Sequence, residues 1–226
     1  MKKIAVIIPA GGKGLRMGSE KPKTFIEIAG LPIIQHTIRK FTELPEVSTV
    51  VVSVLEEWKE QIVSILKQEC GLKVRWQVVR GGKERQDSIQ NAIDMVSDED
   101  VIAVHDAVRP FFEIEVFRLA ISYLDEWDGA ILATPSKDTV KIVRDGELII
   151  ETPDRSTIWL AQTPQVFRTQ TLKEAYKLAS EQNFKGTDDA SLVENLGKKV
   201  RVVEGNPENI KITYPSDLIF ATDLLR

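Results

Sequence analysis

Through its first 133 residues the chain alternates short apolar, β-branched runs with longer stretches of helical periodicity, and few folds accept that rhythm. Ile4 to Ile8 is continuously apolar, as in a strand buried on both faces. A glycine-rich loop follows from Ala10 to Gly18. Pro32 then opens a predicted helix whose Ile33, Ile34, Ile38 and Phe41 share one face. Strands are predicted at Thr49–Val54, Val74–Val79, Val101–Val104 and Ala130–Ala133, and helices at Glu57–Gln68, Asp87–Val96 and Glu113–Glu126. Such repeated βαβ units imply an α/β fold: a Rossmann-like, mostly parallel sheet with helices on both faces. Ligands of these sheets bind beyond the carboxyl ends of the strands. The loops Ala10–Gly18, Gly81–Ser88 and His105–Pro110 all leave strands at that edge and should converge on one crevice.

The rhythm changes after Pro135. Val140–Val143 and Glu147–Ile150 flank Arg144-Asp145-Gly146, a strong hairpin signal, and this hairpin reads as an arm leaving the domain over residues 139–152. Helices are predicted at Thr171–Gln182 and Asp188–Asn195, strands at Lys199–Val203 and Ile210–Thr213, and a last helix from Pro215. With no internal repeat or low-complexity linker, residues 1–226 read as a single domain.

Composition narrows the function. The formal net charge is −4, so the basic surplus of a nucleic-acid binder is missing and a phosphate site has to be a local concentration of cations and backbone N–H groups. Cys70 is the single cysteine, which excludes an intrachain disulfide. With only His36 and His105 beside it, a Cys/His zinc cluster is excluded too. The apolar run after MKK is too short for a signal peptide, and no stretch is long enough for a membrane span, so a cytoplasmic location is expected.

The first loop reads AGGKGLRM, with KPKT close behind. Its glycines let backbone N–H groups approach phosphate oxygens, and Arg16 and Lys23 add positive charge. It matches neither the Walker A motif nor the dinucleotide fingerprint, since Met17 stands where a third glycine belongs. GGKERQDS can offer Gly82 and Ser88 to a base or ribose, although a capped helix start explains it about as well. HDAVRP puts Asp106 and Arg109 at the end of a buried strand, where an Asp can meet Mg²⁺ through water, hold a hydroxyl, or simply cap a turn. DRSTIWLAQTPQVF carries Arg155 and Thr163; GTDDAS carries Thr187 ahead of a helix. In NIKIT, Lys211 lies between isoleucines, and alternation does not decide whether it faces solvent or an anion. Asp98-Glu99-Asp100 spells the D-x-D of metal-dependent glycosyltransferases, but it precedes its strand on the wrong edge and reads as a solvated turn.

Taken in order, AGGKGLRM, KPKT, GGKERQDS, HDAVRP, DRSTIW, AQTPQVF, TDDAS and NIKIT make the chain similar to the 2-C-methyl-D-erythritol 4-phosphate cytidylyltransferases of the non-mevalonate isoprenoid pathway. The resemblance implies transfer of CMP from CTP to a small polyol phosphate, with Mg²⁺ bound mainly through the CTP phosphates. It implies that Arg16 and Lys23 grip those phosphates and stabilise the transition state. Ala10, Gly11, Gly12, Gly82 and Ser88 become nucleotide contacts, and Asp106 the acid near ribose, metal and acceptor hydroxyls. Arg109, Thr139, Thr163 and Thr187 fall on the acceptor or ribose side, and Arg155 and Lys211 position the acceptor phosphate. The hairpin matches an arm that embraces a second subunit, so a homodimer is implied, with Arg155 and Thr139 acting in the partner's site. Lys83 departs from the family, which often carries an acid there. Ribitol 5-phosphate is the rival acceptor; a glycosyltransferase and a catalytically inactive nucleotide-binding regulator are rivals of other classes.

Overall fold

The computed structural model describes residues 2–12 and 21–225. Strand β1 (Ile4–Pro9) is followed by a two-residue ribbon, β2 (Glu27–Ile28) and β3 (Leu31–Pro32), and by α1 (Ile33–Thr42). Next come β4 (Val47–Val54), α2 (Lys59–Cys70), β5 (Arg75–Arg80), α3 (Arg85–Ile93), β6 (Val101–Val104), α4 (Ile114–Ser122) and β7 (Gly129–Pro135). The arm holds β8 (Ile142–Arg144) and β9 (Leu148–Glu151). The chain ends with β10 (Trp159–Arg168), α5 (Thr169–Gln182), α6 (Asp189–Asn195), β11 (Val200–Glu204) and α7 (Pro215–Asp223).

Seven strands form one sheet in the order β11-β7-β10-β6-β1-β4-β5. All neighbours are parallel except β10, which runs antiparallel between β6 and β7. The uninterrupted apolar strands are explained by packing on both faces. Ile4, Val6 and Ile8 join a core shared with α1, α2 and α4, while Ala5 and Ile7 join one shared with α3, α5 and α6. Helix α1 buries Ile34, Ile38 and Phe41 in the first core, and its Ile33 joins a small cluster with Ile212 and Ala221 at the carboxyl edge. The chain runs outward through β4 and β5, then returns to β6 on the other side of β1. That reversal between β1 and β6 is where this architecture opens a crevice.

Several expectations are corrected. In DRSTIWLAQTPQVF the residues from Trp159 onward form a central strand, β10, that strand signals miss because Pro164 cannot donate to a ladder, while Arg155–Thr157 is a short 3-10 turn before it. The sheet tolerates it through a bulge: Ala161 pairs with Ala133 and Gln165 with Ile131, so Gln162, Thr163 and Pro164 together face one residue of β7. Ile210–Thr213 is not a strand; it crosses the carboxyl edge and is held by the Ile212 N–H donating to the Val108 carbonyl at 3.0 Å. The Asp98–Asp100 turn lies on the amino edge as expected, yet it is not a solvated turn throughout. The Glu99 carboxylate is buried and accepts from Arg75 and Thr49. In the arm, Asp145 and Gly146 take positive φ angles of 55° and 79°, the backbone that makes Asp-Gly a hairpin turn. Its strands belong to no larger sheet.

Candidate active site

A cavity of about 420 Å³ opens at the β1/β6 switch point. Ala10, Gly11 and Gly12 line it from the end of β1, Gly82, Lys83, Arg85 and Ser88 from the loop into α3, and Asp106 from the end of β6. Lys23 and Lys211 complete its rim. The described parts of the three loops thus converge as the alternation predicts. Arg16 falls among residues 13–20, outside the described residues.

The loop after β5 has a built geometry. The Gly82 N–H donates to the Ser88 hydroxyl at 2.9 Å, and that hydroxyl donates to the Glu84 carbonyl at 3.0 Å. A Cβ on Gly82 would lie 2.1 Å from the Cβ of Asp87, so only glycine lets the loop lie this close to the start of α3. At Gly12 an added Cβ meets nothing within 4 Å among the described residues. Ser88, expected as a nucleotide contact, lines the cavity and also ties the loop together.

Asp106 is the electrostatic centre. Its Oδ2 lies 3.1 Å from both Lys211 Nζ and Arg109 Nε, and its Oδ1 lies 3.9 Å from Arg85 Nε. Burial alone would raise its pKa; Lys211, Arg85 and Arg109 outweigh burial and hold the carboxylate well below its usual range. It is therefore ionised, and the cations around it leave a surplus of positive charge facing the cavity. Lys211 faces this cluster, which settles what alternation left open. Its neighbour Ile212 accepts from Lys23 Nζ through the backbone carbonyl at 3.1 Å, so the two lysines share one rim. Behind the turn, His105 is fully buried between Phe41 and Phe112 and its Nε2 donates to the Arg109 carbonyl at 2.8 Å. Burial lowers its pKa to about 3, so it stays neutral and braces the turn.

Arg109 turns away from this cavity. It donates to the Asn209 carbonyl and lines a second cavity of about 540 Å³, together with Leu160, Gln162, Asn209 and Tyr214. Lys211 and Thr213 line both cavities, so the two meet there. Thr163 is buried behind Asp106, accepting its N–H at 3.0 Å, and the Asn209 amide donates to the Thr163 carbonyl. Thr163 is thus a support for the site and lines neither cavity. Thr187 is exposed beside a separate, small pocket with Arg85 and Tyr176. Thr139 and Arg155 lie exposed at the base of the arm, where Arg155 donates to the Lys137 carbonyl. Within one subunit neither lines the cavities.

Arg85 is the site residue that sequence reasoning missed. A signal was available: an Arg in the first turn of α3 opposes the helix dipole, which a carboxylate partner offsets. Asp189 is that partner, at 2.7 Å and wholly buried. As for metals, no group of three or more acidic, His or Cys side chains that could hold one gathers among the described residues. Among the described residues two carboxylates line the cavity: cations already flank Asp106, and Glu84 pairs with Lys185. That donor set fits an ion that takes most of its ligands from phosphate oxygens and water.

A family model described as 2-C-methyl-D-erythritol 4-phosphate cytidylyltransferase (IspD) matches residues 4–226. The chain is 42% identical to the 2-C-methyl-D-erythritol 4-phosphate cytidylyltransferase of Geotalea uraniireducens, over 99% of this chain and 97% of that one. Its identity to the protein of that name from Bacillus mycoides is 41%, over 97% and 96% of the two chains. Among solved structures it is similar to 4-diphosphocytidyl-2C-methyl-D-erythritol synthase from Anaerococcus prevotii, with a TM-score of 0.86 and 32% identity over 99% of this chain and 96% of that one. It is also similar to the Francisella tularensis cytidylyltransferase, with a TM-score of 0.83 and 32% identity over 97% and 98% of the two chains.

Proposed function

The chain belongs to the 2-C-methyl-D-erythritol 4-phosphate cytidylyltransferase family, and from that premise we propose how its residues divide the work of the reaction. The enzyme transfers CMP from CTP to 2-C-methyl-D-erythritol 4-phosphate, giving 4-diphosphocytidyl-2-C-methyl-D-erythritol and pyrophosphate. An acceptor phosphate oxygen attacks the α-phosphorus in line. The bond from that phosphorus to the bridging oxygen breaks, and pyrophosphate leaves with the electron pair.

The observation that carries the assignment of roles is the meeting of two cavities at Lys211. CTP takes the cavity lined by Ala10, Gly11, Gly12, Gly82, Ser88 and Asp106; the acceptor takes the one lined by Arg109 and Lys211. Both reactants are anions, so the first obstacle is their repulsion. Preorganised cations lower it and stabilise the charge that develops on the equatorial oxygens and the leaving group. Lys23, with Arg16, serves the triphosphate, and Lys211 serves the acceptor phosphate. Mg²⁺, when bound, neutralises triphosphate charge, and Asp106 is the side chain that would hold it, through water. The attacking phosphate is already ionised, so no general base is needed, and His105 is left to brace the turn. Thr163 acts through the backbone of Asp106.

The acceptor cavity is completed by a second subunit. Arg155 and Thr139 lie at the root of an exposed apolar arm, and a homodimer that exchanges arms brings them to the partner's acceptor. In this reading residues 1–226 form one nucleotidyltransferase domain with 139–152 as its arm. The enzyme works in the cytoplasm, where two membrane-impermeant anions meet; no helix among the described residues is long and apolar enough to cross a membrane. The test is pyrophosphate release with CTP, UTP, ATP and GTP against methylerythritol 4-phosphate and ribitol 5-phosphate. Turnover is expected with CTP and methylerythritol 4-phosphate in Mg²⁺, and poor turnover with other pairs. Equal or better turnover with ribitol 5-phosphate would overturn the acceptor and leave the reaction class standing.

A further inference from the structure

We propose that Asp189 is a positioning residue of the nucleotide cavity, acting through Arg85. Its carboxylate lies at the start of α6, wholly buried, and each oxygen has a fixed partner. Oδ2 lies 2.7 Å from Arg85 Nη2 and Oδ1 accepts the Tyr176 hydroxyl at 2.6 Å. The backbone N–H groups of Asp189 and Ala190 both donate to Gln165 Oε1, so the start of α6 is anchored to β10 while the carboxylate is held from α3 and α5. Burial, and then Asp189 itself, raise the Tyr176 pKa, which keeps that hydroxyl a donor.

Arg85 therefore has one edge taken up by Asp189, while its Nε stops 3.9 Å from Asp106 Oδ1, beyond hydrogen-bond reach. An ion pair that served only to fasten α6 to α3 could be replaced by packed apolar side chains at little cost. An apolar pair could not hold a guanidinium at a set distance from Asp106. Burial opposes the charge on Arg85, and Asp189 more than offsets this, with Asp106 adding to the effect. Without Asp189, Arg85 is free to close onto Asp106 in the forked geometry that Arg prefers with carboxylates. Asp106 Oδ1, the oxygen with no hydrogen bond from Lys211 or Arg109, would then be occupied. Asp189 keeps that oxygen open to the nucleotide.

This inference rests on the reading that CTP takes the cavity at Asp106, and a kinetic double-mutant cycle tests it. Asp189→Asn is expected to raise KM for CTP about tenfold, with kcat and KM for the acceptor changing less than about threefold. In an Arg85→Gln background the same change is expected to do nothing further. Tyr176→Phe, which frees one oxygen of Asp189 and keeps the packing, is expected to raise KM for CTP about two- to fivefold, again only when Arg85 is present. It takes the place of Asp189→Asn if that variant does not fold. Equal effects in both backgrounds, or an unchanged KM for CTP in the folded variants, overturn the proposal. Asp106→Asn separates the two readings: a wild-type KM for CTP there removes the nucleotide role of Asp106, and this inference with it, whatever the cycle gives. A raised KM for CTP in Asp106→Asn, without coupling between positions 85 and 189, overturns the inference alone.

Discussion

On the proposed assignment, single residues of this site divide into those that would meet anions and those that shape the space. Lys23 is of the first kind. Lys23→Met should lower kcat about 10²–10³-fold, the usual effect of losing one preorganised electrostatic group, with little change in stability; near-wild-type turnover would refute its role. Gly82 is of the second kind. Gly82→Ala puts a methyl 2.1 Å from the Asp87 Cβ, so α3 or the loop must move. A loss of about 1–3 kcal/mol in chemical denaturation is expected, with a raised KM for CTP. His105 contributes through its neutrality. Burial lowers its pKa to about 3; the Arg109 carbonyl and Asp106 pull it up, and Arg109 and Lys40 push it down. The unfolded chain takes up this proton near pH 6.5 or so. The stability lent by the neutral ring is thus complete above about pH 6.5 and is lost as pH falls toward 3, by roughly 1.4 kcal/mol per unit. Asp106 adds a loss only lower down, below about pH 4, where the unfolded chain begins to take up its proton. Between pH 6.5 and 5, His105→Gln should flatten the fall in stability, and an unchanged slope would show that another group is responsible.

At the scale of elements, β10 does most to turn a parallel sheet into this particular one. It separates β6 from β7, and its bulge places Gln162 on the second cavity and Thr163 behind Asp106. Its Gln165 accepts two N–H groups at the start of α6 and donates to Asp188 at 2.8 Å. Gln165→Leu keeps the side-chain bulk and orphans both N–H groups, so a loss of about 1–3 kcal/mol for each is expected by thermal or chemical unfolding. A variant as stable as the wild type would show that α6 is held by its own capping box alone.

At the scale of the whole molecule, the arm leaves Leu148 66% and Ile149 55% exposed, with Ile142, Val143 and Ile150 beside them. An isolated two-stranded ribbon seldom keeps such a surface in water, and a twofold exchange of arms is the simplest closed way to cover it. Replacing residues 140–150 by a Gly-Ser linker should give monomers by light scattering and cripple turnover while CTP binding partly survives. Complementation distinguishes more sharply. Lys23→Met and Arg155→Met homodimers should each be nearly inactive, but a subunit-exchanged mixture should recover about a quarter of wild-type activity. Half of its dimers would be mixed, and each would carry one intact site. If Arg155 served its own subunit, no site in the mixture would be intact and activity would stay at the level of the variants.

The amino-acid sequence by itself determined the α/β rhythm, the strands Ile4–Ile8 and Val101–Val104, the Asp-Gly hairpin and the ordered motifs that carry the family likeness. These are legible because hydrophobic period, turn chemistry and glycine content act locally. Only the tertiary structure decided that the proline-bearing segment after Arg155 is a central strand, that Ile210–Thr213 is not one, and that Lys211 faces Asp106. It also decided that Arg85 and Asp189, 104 positions apart, form one ion pair beside the cavity at the β1/β6 switch point. A strand that breaks its own ladder is accepted only because two neighbours bond it on either side of the bulge. A buried carboxylate is accepted only because the fold brings it a cation from α3 and a hydroxyl donor from α5. Both are long-range compensations, and no local pattern in the chain encodes them.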